Sequence, residues 1–79
     1  MIVHTIASNM IEVETDAYRI LISYKTPVAY YDRNAGYAGG VYYRTEKKWS
    51  TTTTRHINKW LGGAKSLTTS QETLDRLLD

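Results

Sequence analysis

The threonine-rich stretch near the middle of the sequence has the residue types of an anion-binding site. Thr52, Thr53 and Thr54 are followed directly by Arg55 and His56. At a helix N-terminus, free backbone N–H groups, added hydroxyls and a guanidinium can together hold a phosphate or a carboxylate. Simple capping of the helix by a hydroxyl, with the basic side chains in solvent, explains the same residues. Either interpretation predicts that a helix begins here.

Catalytic chemistry is not indicated, although His56 lies close in sequence to several hydroxyl groups. A histidine can activate a serine or threonine nucleophile, but the pair also needs a third orienting group and an oxyanion hole. The sequence has no G-x-S-x-G elbow, P-loop or H-E-x-x-H motif. It has no Cys, and its two histidines are His4 and His56, so thiolate chemistry and cysteine zinc sites are excluded. We expect no enzyme activity, no catalytic residue, no metal site and no cofactor.

A basic and tyrosine-rich middle segment is the predicted binding surface. Five of the ten Lys and Arg residues lie between Arg44 and Lys59, against the single acid Glu46. Exposed tyrosine beside arginine and lysine is typical of protein interfaces and of platforms for single-stranded bases. Rings that lie flat over a thin core are the alternative. The predicted binding residues are Tyr31, Tyr42, Arg44, Lys47, Lys48 and Arg55.

The charge distribution separates this basic patch from both ends of the chain. The net charge is +2. Residues 1–16 hold three acids and no Lys or Arg, while residues 17–65 hold nine Lys and Arg against two acids. Residues 66–79 hold three acids against one Arg, so the three segments carry −3, +7 and −2. A basic centre suits nucleic acid or an acidic protein surface, although the same charges could simply keep the protein in solution.

A length of 79 residues limits the size of the core. So short a chain forms one domain, residues 1–79, and buries only about 60% of the surface that its unfolded chain exposes. No apolar run approaches the roughly 20 residues of a membrane span, and the N-terminus lacks the features of a signal peptide. We expect a cytoplasmic protein with no membrane partner, and a homodimer in which a second copy covers a sheet edge or the tyrosine face.

Alternation of apolar and polar residues predicts the strands that position these side chains. Residues 10–14 and 18–25 alternate with a period of two, and residues 1–6 are also β-prone. Residues 28–31 and 41–45 are also rich in β-prone types and are joined by a glycine-rich loop at 33–40. The last two segments are therefore predicted to form a hairpin.

Two helices are predicted to follow the strands. Hydroxyl side chains supply an N-cap and a pair of glycines ends the first helix, at about 52–62. Ile57, Trp60 and Leu61 lie on its predicted core face. Leucines near the end of the chain predict a short C-terminal helix at about 70–78. The expected fold is α+β, with a small antiparallel sheet of three to four strands, one packed helix and a short C-terminal helix.

Residues 44–61 contain a basic segment, a Trp-Ser pair, a threonine-rich step and the series Arg-His-Ile-Asn-Lys-Trp. This pattern resembles a family of small uncharacterised proteins encoded by phages and related mobile elements. Residues 23–29 are similar to the strand that precedes the pattern in that family. The family has no function that transfers to a residue here. The resemblance implies a context, because small phage proteins often bind host complexes, anti-CRISPR proteins being one example.

Two functions are expected from these features. The first is a non-enzymatic phage-type protein that binds a host protein or ribonucleoprotein complex in the host cytoplasm, as an anti-CRISPR or other anti-defence inhibitor. The second is a small nucleic-acid-binding protein that uses the same basic, tyrosine-rich surface. The net charge of only +2 and the acidic ends weaken a general grip on DNA, which favours the first function.

Overall fold

One six-stranded sheet runs through the protein in the computed structural model, which describes residues 1–36 and 39–78. The elements are β1 (Ile2–Ala7), β2 (Met10–Glu14), β3 (Tyr18–Ser23), β4 (Thr26–Asp32), β5 (Val41–Thr45), α1 (Thr51–Leu61), β6 (Ser66–Thr69) and α2 (Gln71–Arg76). The strands lie in the order of the chain. The first five are antiparallel, and β6 is parallel to β5 because the connection through α1 returns the chain to the same end of the sheet.

The expected sheet of three to four antiparallel strands is wrong, although the fold still combines helices with a sheet. The sheet has six strands and is mixed, and the strand that the sequence did not reveal is β6. Ser66–Thr69 contains one apolar residue, so no alternation marks it, and it becomes a strand because α1 delivers it beside β5. The loop predicted at 33–40 includes residues 37 and 38, which lie outside the described residues.

Both helices begin with a serine cap. Ser50 Oγ accepts a hydrogen bond of 3.2 Å from a backbone N–H in the first turn of α1, and Gly62 ends the helix in the left-handed conformation. The bounds of α1 lie within one residue of the predicted helix. The C-terminal helix predicted at 70–78 is shorter, at Gln71–Arg76, and its cap is Ser70. Within the described residues, neither helix is long and apolar enough to cross a membrane.

Strand alternation divides the core between the two faces of the sheet, named here the α1 face and the α2 face after the helix that covers each. On the α1 face the buried cluster is Met10, Leu21, Val28, Ala29, Ile57 and Leu61. On the α2 face it is Val13, Ile20, Ile22, Tyr30 and Leu74. A bulge in β4 shifts the register by one residue, so the consecutive residues Val28 and Ala29 both enter the α1-face cluster.

The β3–β4 hairpin turns through two non-glycine residues in the left-handed region. Tyr24 has φ 51° and Lys25 has φ 77°. Hairpin turns with two such residues usually contain Asn and Gly, so the sequence gives no sign of a turn here and its alternation predicts a strand as far as Lys25. The Tyr24 ring stacks on the His56 ring of α1, with 5.8 Å between their centroids, which places the turn against the helix.

Candidate functional site

Two tyrosines and an arginine form a layer across three strands on the α1 face. Tyr31 of β4 and Tyr42 of β5 are register partners, and their ring centroids are 4.6 Å apart. Arg19 of β3 is the register partner of Tyr31 on the other side. Its guanidinium carbon lies 4.8 Å from the Tyr31 ring centroid, and its Nη2 donates a 3.0 Å hydrogen bond to the Tyr42 hydroxyl. The three side chains are half-buried.

Trp60 closes this layer at the end of α1. Its ring meets the Tyr42 ring edge-to-face at 5.5 Å between centroids, and its Nε1 donates a 2.8 Å hydrogen bond to Glu12 Oε1. Trp60 was predicted to lie in the core, but it is half-buried and packs against the edge of the α1-face cluster. We call Arg19, Tyr31, Tyr42 and Trp60 the aromatic platform.

The chain approaches the platform closely at one glycine. A Cβ at Gly40 would overlap the Tyr31 hydroxyl oxygen, and Gly40 has φ 133°. The Tyr31 hydroxyl donates a hydrogen bond to the Gly39 carbonyl. Only glycine at position 40 therefore allows the loop to pass over the Tyr31 hydroxyl.

A basic cleft of about 300 Å³ lies between α1 and the segment that joins β5 to α1. Its walls are Arg44, Thr45, Glu46, Lys47, Lys48, Trp49, Thr54 and Ile57. The Lys47 Nζ lies 4.4 Å from the Trp49 ring centroid, a cation–π contact, and 36% of Trp49 is exposed. Arg44 donates a 3.3 Å hydrogen bond to Asn58 Oδ1 of α1. Three cations thus surround the cleft against one acid.

Gln71 at the start of α2 holds the cleft segment in place. Its Oε1 accepts hydrogen bonds from Thr45 Oγ1 at 2.8 Å and from Trp49 Nε1 at 3.3 Å. Its Nε2 donates to the Pro27 carbonyl at 2.7 Å. The Lys47 backbone N–H donates to Thr45 Oγ1 at 3.1 Å. The side chains of the cleft are therefore positioned by contacts from β4 and α2 that lie far away in sequence.

The structure divides the six predicted binding residues among three places. The platform contains Tyr31 and Tyr42, and the cleft contains Arg44, Lys47 and Lys48. Arg55 is exposed on α1 outside both, since α1 contributes Thr54 and Ile57 to the cleft. Sequence reasoning missed the parts played by Arg19, Trp49 and Gln71. The strand alternation around Arg19 was visible, but its neighbours depend on the strand register.

The contacts of the threonine-rich step favour helix capping over an anion-binding site. Thr53 is buried, and its Oγ1 lies 3.1 Å from Ser23 Oγ of β3. Ser23 Oγ also hydrogen-bonds to His56 Nδ1 at 2.7 Å. A serine and a histidine in contact suggest a nucleophile pair, but Ser23 is 1% exposed, so a substrate carbonyl could not reach its hydroxyl. The Ser23 contacts join α1 to the sheet.

His4, Glu12 and Glu14 form a group that the sequence analysis did not anticipate. Their nitrogen and carboxylate donor atoms lie within 4.8 Å of one another on β1 and β2, and among the described residues this is a group that could hold a metal ion. Arg33 donates a 2.7 Å hydrogen bond to Glu14 Oε2, and His4 lies 3.4 Å from Glu14 Oε1. The hydrogen bond from Arg33, followed by that from His4, lowers the pKa of the Glu14 carboxyl. Side chains of the protein itself, Arg33 and His4, thus already contact both carboxylate oxygens of Glu14.

A family model described as a family of unknown function (DUF8033) matches residues 3–76. The match covers both helices, β2 to β6 and most of β1. Searches of curated proteins and of solved structures found no match.

Proposed function

The chain belongs to DUF8033, a family of unknown function, and we propose that it is a non-enzymatic binding protein for an acidic surface of a host protein complex. The observation that carries this proposal is the position of Arg44, which connects the aromatic platform with the basic cleft. Arg44 follows Tyr42 by two residues on β5, so both lie on the α1 face, and it lines the cleft with Lys47 and Lys48. The two features form one continuous surface.

The chemistry of this surface suits a protein partner. Tyrosine, tryptophan and arginine dominate the binding energy of protein interfaces because they combine a large apolar area with a polar end. Lysines at the rim of such a surface attract an acidic partner and accelerate association. The surface of this protein has both parts, since the half-buried platform lies beside the exposed Lys47 and Lys48.

The arrangement of the rings favours protein over single-stranded nucleic acid. A platform for bases needs aromatic faces that are open to stacking. Here the Tyr31 and Tyr42 rings pack on each other, and the Arg19 guanidinium covers Tyr31. Nucleic acid is the second candidate partner, because the Trp49 ring is partly exposed beside Lys47 in a cationic cleft.

The resemblance of residues 44–61 to small phage proteins supports the wider setting of the proposal. Residues 44–49, 54 and 57 of that segment line the cleft, so the part of the sequence that resembles phage proteins is the part that builds the basic cleft. In this proposal the protein acts in the host cytoplasm and blocks a defence complex, as anti-CRISPR proteins do, by occupying a surface.

The test is capture of partners from host lysate, with and without nuclease, followed by mass spectrometry. The variant Lys47→Glu with Lys48→Glu should retain melting behaviour and lose most of the captured partner, because both lysines are exposed and line the cleft. The control is Lys59→Glu with Lys65→Glu, which changes the net charge equally at exposed residues outside the cleft.

The salt dependence of binding separates the two candidate functions. Under the nucleic-acid alternative, capture disappears with nuclease, and the cleft variant flattens the salt dependence by about two phosphate contacts. Under the protein proposal, capture survives nuclease and is lost in the cleft variant alone. Equal capture by wild type and by the cleft variant would remove this surface from consideration.

A further inference from the structure

The edge strand β1 has the composition of a strand from the interior of a sheet. Ile2–Ala7 contains no charged residue, proline or glycine, and apart from His4 and Thr5 it is entirely apolar. Its side chains lie on both faces, since Ile2 pairs with Glu14 on the α1 face and Val3 pairs with Val13 on the α2 face. Yet 54% of Ile2 and 59% of Val3 are exposed.

Edge strands of soluble proteins are usually protected from further pairing. Lysine, proline, a bulge or very short length serves this purpose. The register of β1 shifts only between Thr5 and Ala7, at the turn into β2, so Ile2–Thr5 is a regular strand with an unprotected outer edge. The opposite edge, β6, has four residues, mostly hydroxylated, and follows directly after Lys65.

We propose that β1 pairs antiparallel with β1 of a second copy, which joins the two sheets into one. Antiparallel pairing of a strand with its own copy creates a two-fold axis and leaves no further free edge on that side. A second copy is the matching occupant because β1 contains no Lys, Arg, Asp or Glu with which to select a charged partner, and the copy presents the same largely apolar strand. Directly opposed residues share a face, so apolar side chains continue on both faces across the axis.

The expected interface is small. Six residues extend about 20 Å at the usual rise of a strand, and a contact of this length buries less than the roughly 1,200 Å² of a standard stable interface. We therefore expect a dimer that dissociates on dilution. The aromatic platform and the basic cleft lie on β3, β4, β5, α1 and the segment before α1, and β2 separates β3 from β1 in the sheet, so each dimer would present two copies of the proposed binding surface.

Sedimentation velocity over a wide concentration range tests the proposal with a matched pair of variants. Val3→Lys places a lysine near its own copy across the axis and should weaken self-association by about tenfold or more. Leu67→Lys is the control, because Leu67 is 58% exposed on the other edge strand, close to the 59% of Val3. Both substitutions lie at exposed positions, and Thr5→Lys provides a second β1 variant if Val3→Lys melts early.

The proposal predicts a wild-type mass that rises from 9.0 kDa towards twice that value, a Val3→Lys mass that begins to rise only at concentrations about tenfold higher or more, and a Leu67→Lys mass that follows wild type. Amide exchange in β1 should slow as the wild-type concentration rises, independently of any variant. A wild-type mass of 9.0 kDa at every concentration, or a dimer lost in Leu67→Lys and kept in Val3→Lys, would overturn it. Either result leaves the proposal for the basic cleft unaffected.

Discussion

The two faces of the sheet use the same residue type in different ways. Tyr30 and Tyr31 are neighbours in β4, and Tyr42 and Tyr43 are neighbours in β5, so each pair places one ring on each face. On the α2 face, Tyr30 and Tyr43 stack nearly parallel with 4.8 Å between centroids, and Tyr30 is buried. On the α1 face, Tyr31 and Tyr42 are half-buried beside Arg19.

The positions of the helices explain this difference. α2 packs on β4 and covers Tyr30, which becomes core, while α1 packs on β3 and leaves Tyr31 and Tyr42 half-buried. Burial raises the pKa of the Tyr30 phenol above its ordinary value of 10.0, and Tyr43 adds to the effect. Strand alternation thereby separates residues that stabilise the fold from residues available for binding. Substitutions on the two faces should separate the same two properties.

The largest effect is expected from removal of the side chain that anchors α2. Leu74 is fully buried and is the buried residue of α2, whereas α1 buries Thr53, Ile57 and Leu61. Leu74→Ala should cost about 3 to 4 kcal/mol of unfolding free energy. Denaturant unfolding measures the loss, and amide exchange should show α2 released from the sheet. Ile57→Ala is the comparison, and it should destabilise the protein while α1 keeps its two other buried contacts.

The result that would contradict this prediction is equal release of the two helices from their faces of the sheet. Ile57→Ala would then release α1 as completely as Leu74→Ala releases α2. That outcome would show that Thr53 and Leu61, the other two buried residues of α1, do not hold the helix on the sheet without Ile57.

An intermediate effect is expected at the hydrogen bonds that join α1 to β3. Ser23→Ala removes the hydroxyl that contacts Thr53 Oγ1 and His56 Nδ1 in a buried place, so it should cost about 2 kcal/mol. Thermal melting measures the loss. The control is Ser70→Ala, which removes the cap of α2 at a more accessible position and should cost about 1 kcal/mol. A smaller loss in Ser23→Ala than in Ser70→Ala would contradict a structural role for the Ser23 contacts.

Much of the local structure was predictable from the sequence, because alternation and capping act between neighbours. The period of two located β2 and β3, and the hydroxyls and the paired glycines located α1 within one residue. β6 was not predictable, since its four residues show no period and depend on α1 to bring them beside β5. The left-handed turn at Tyr24 and Lys25 was hidden for a similar reason, as neither residue type marks a turn.

The candidate site was predictable in composition but not in arrangement. The basic and tyrosine-rich segment indicated five residues that the structure places on the platform or in the cleft. Arg19 joins them through strand register, and Gln71 joins them from α2, 26 residues beyond Thr45. No local pattern can reveal contacts of this range. Arg55 was predicted from its charge and lies outside the site because the helix turns it away.

The smallest effect on stability is expected at Glu14, whose contribution depends on pH. The Arg33 hydrogen bond, and then that of His4, lower the pKa of Glu14 below its ordinary value of 4.5. A carboxyl whose pKa falls on folding stabilises the folded state above the unfolded pKa, and this stabilisation disappears as the pH falls through the lowered value. Because the carboxyl is exposed, the contribution is small and screened by salt.

The melting temperature of Glu14→Gln should therefore be slightly below that of wild type at neutral pH. This difference in melting temperature, called the gap below, should close as the pH is lowered past 4.5 towards the lowered pKa of Glu14. Calorimetry of both proteins across this pH range measures the gap, and added salt should narrow it at neutral pH. Glu72→Gln is the matched control on the α2 side, since Glu72 pairs with Arg76 at high exposure within one helix. A gap for Glu14→Gln that persists in acid would mean that Arg33 and His4 do not act on Glu14 through its charge.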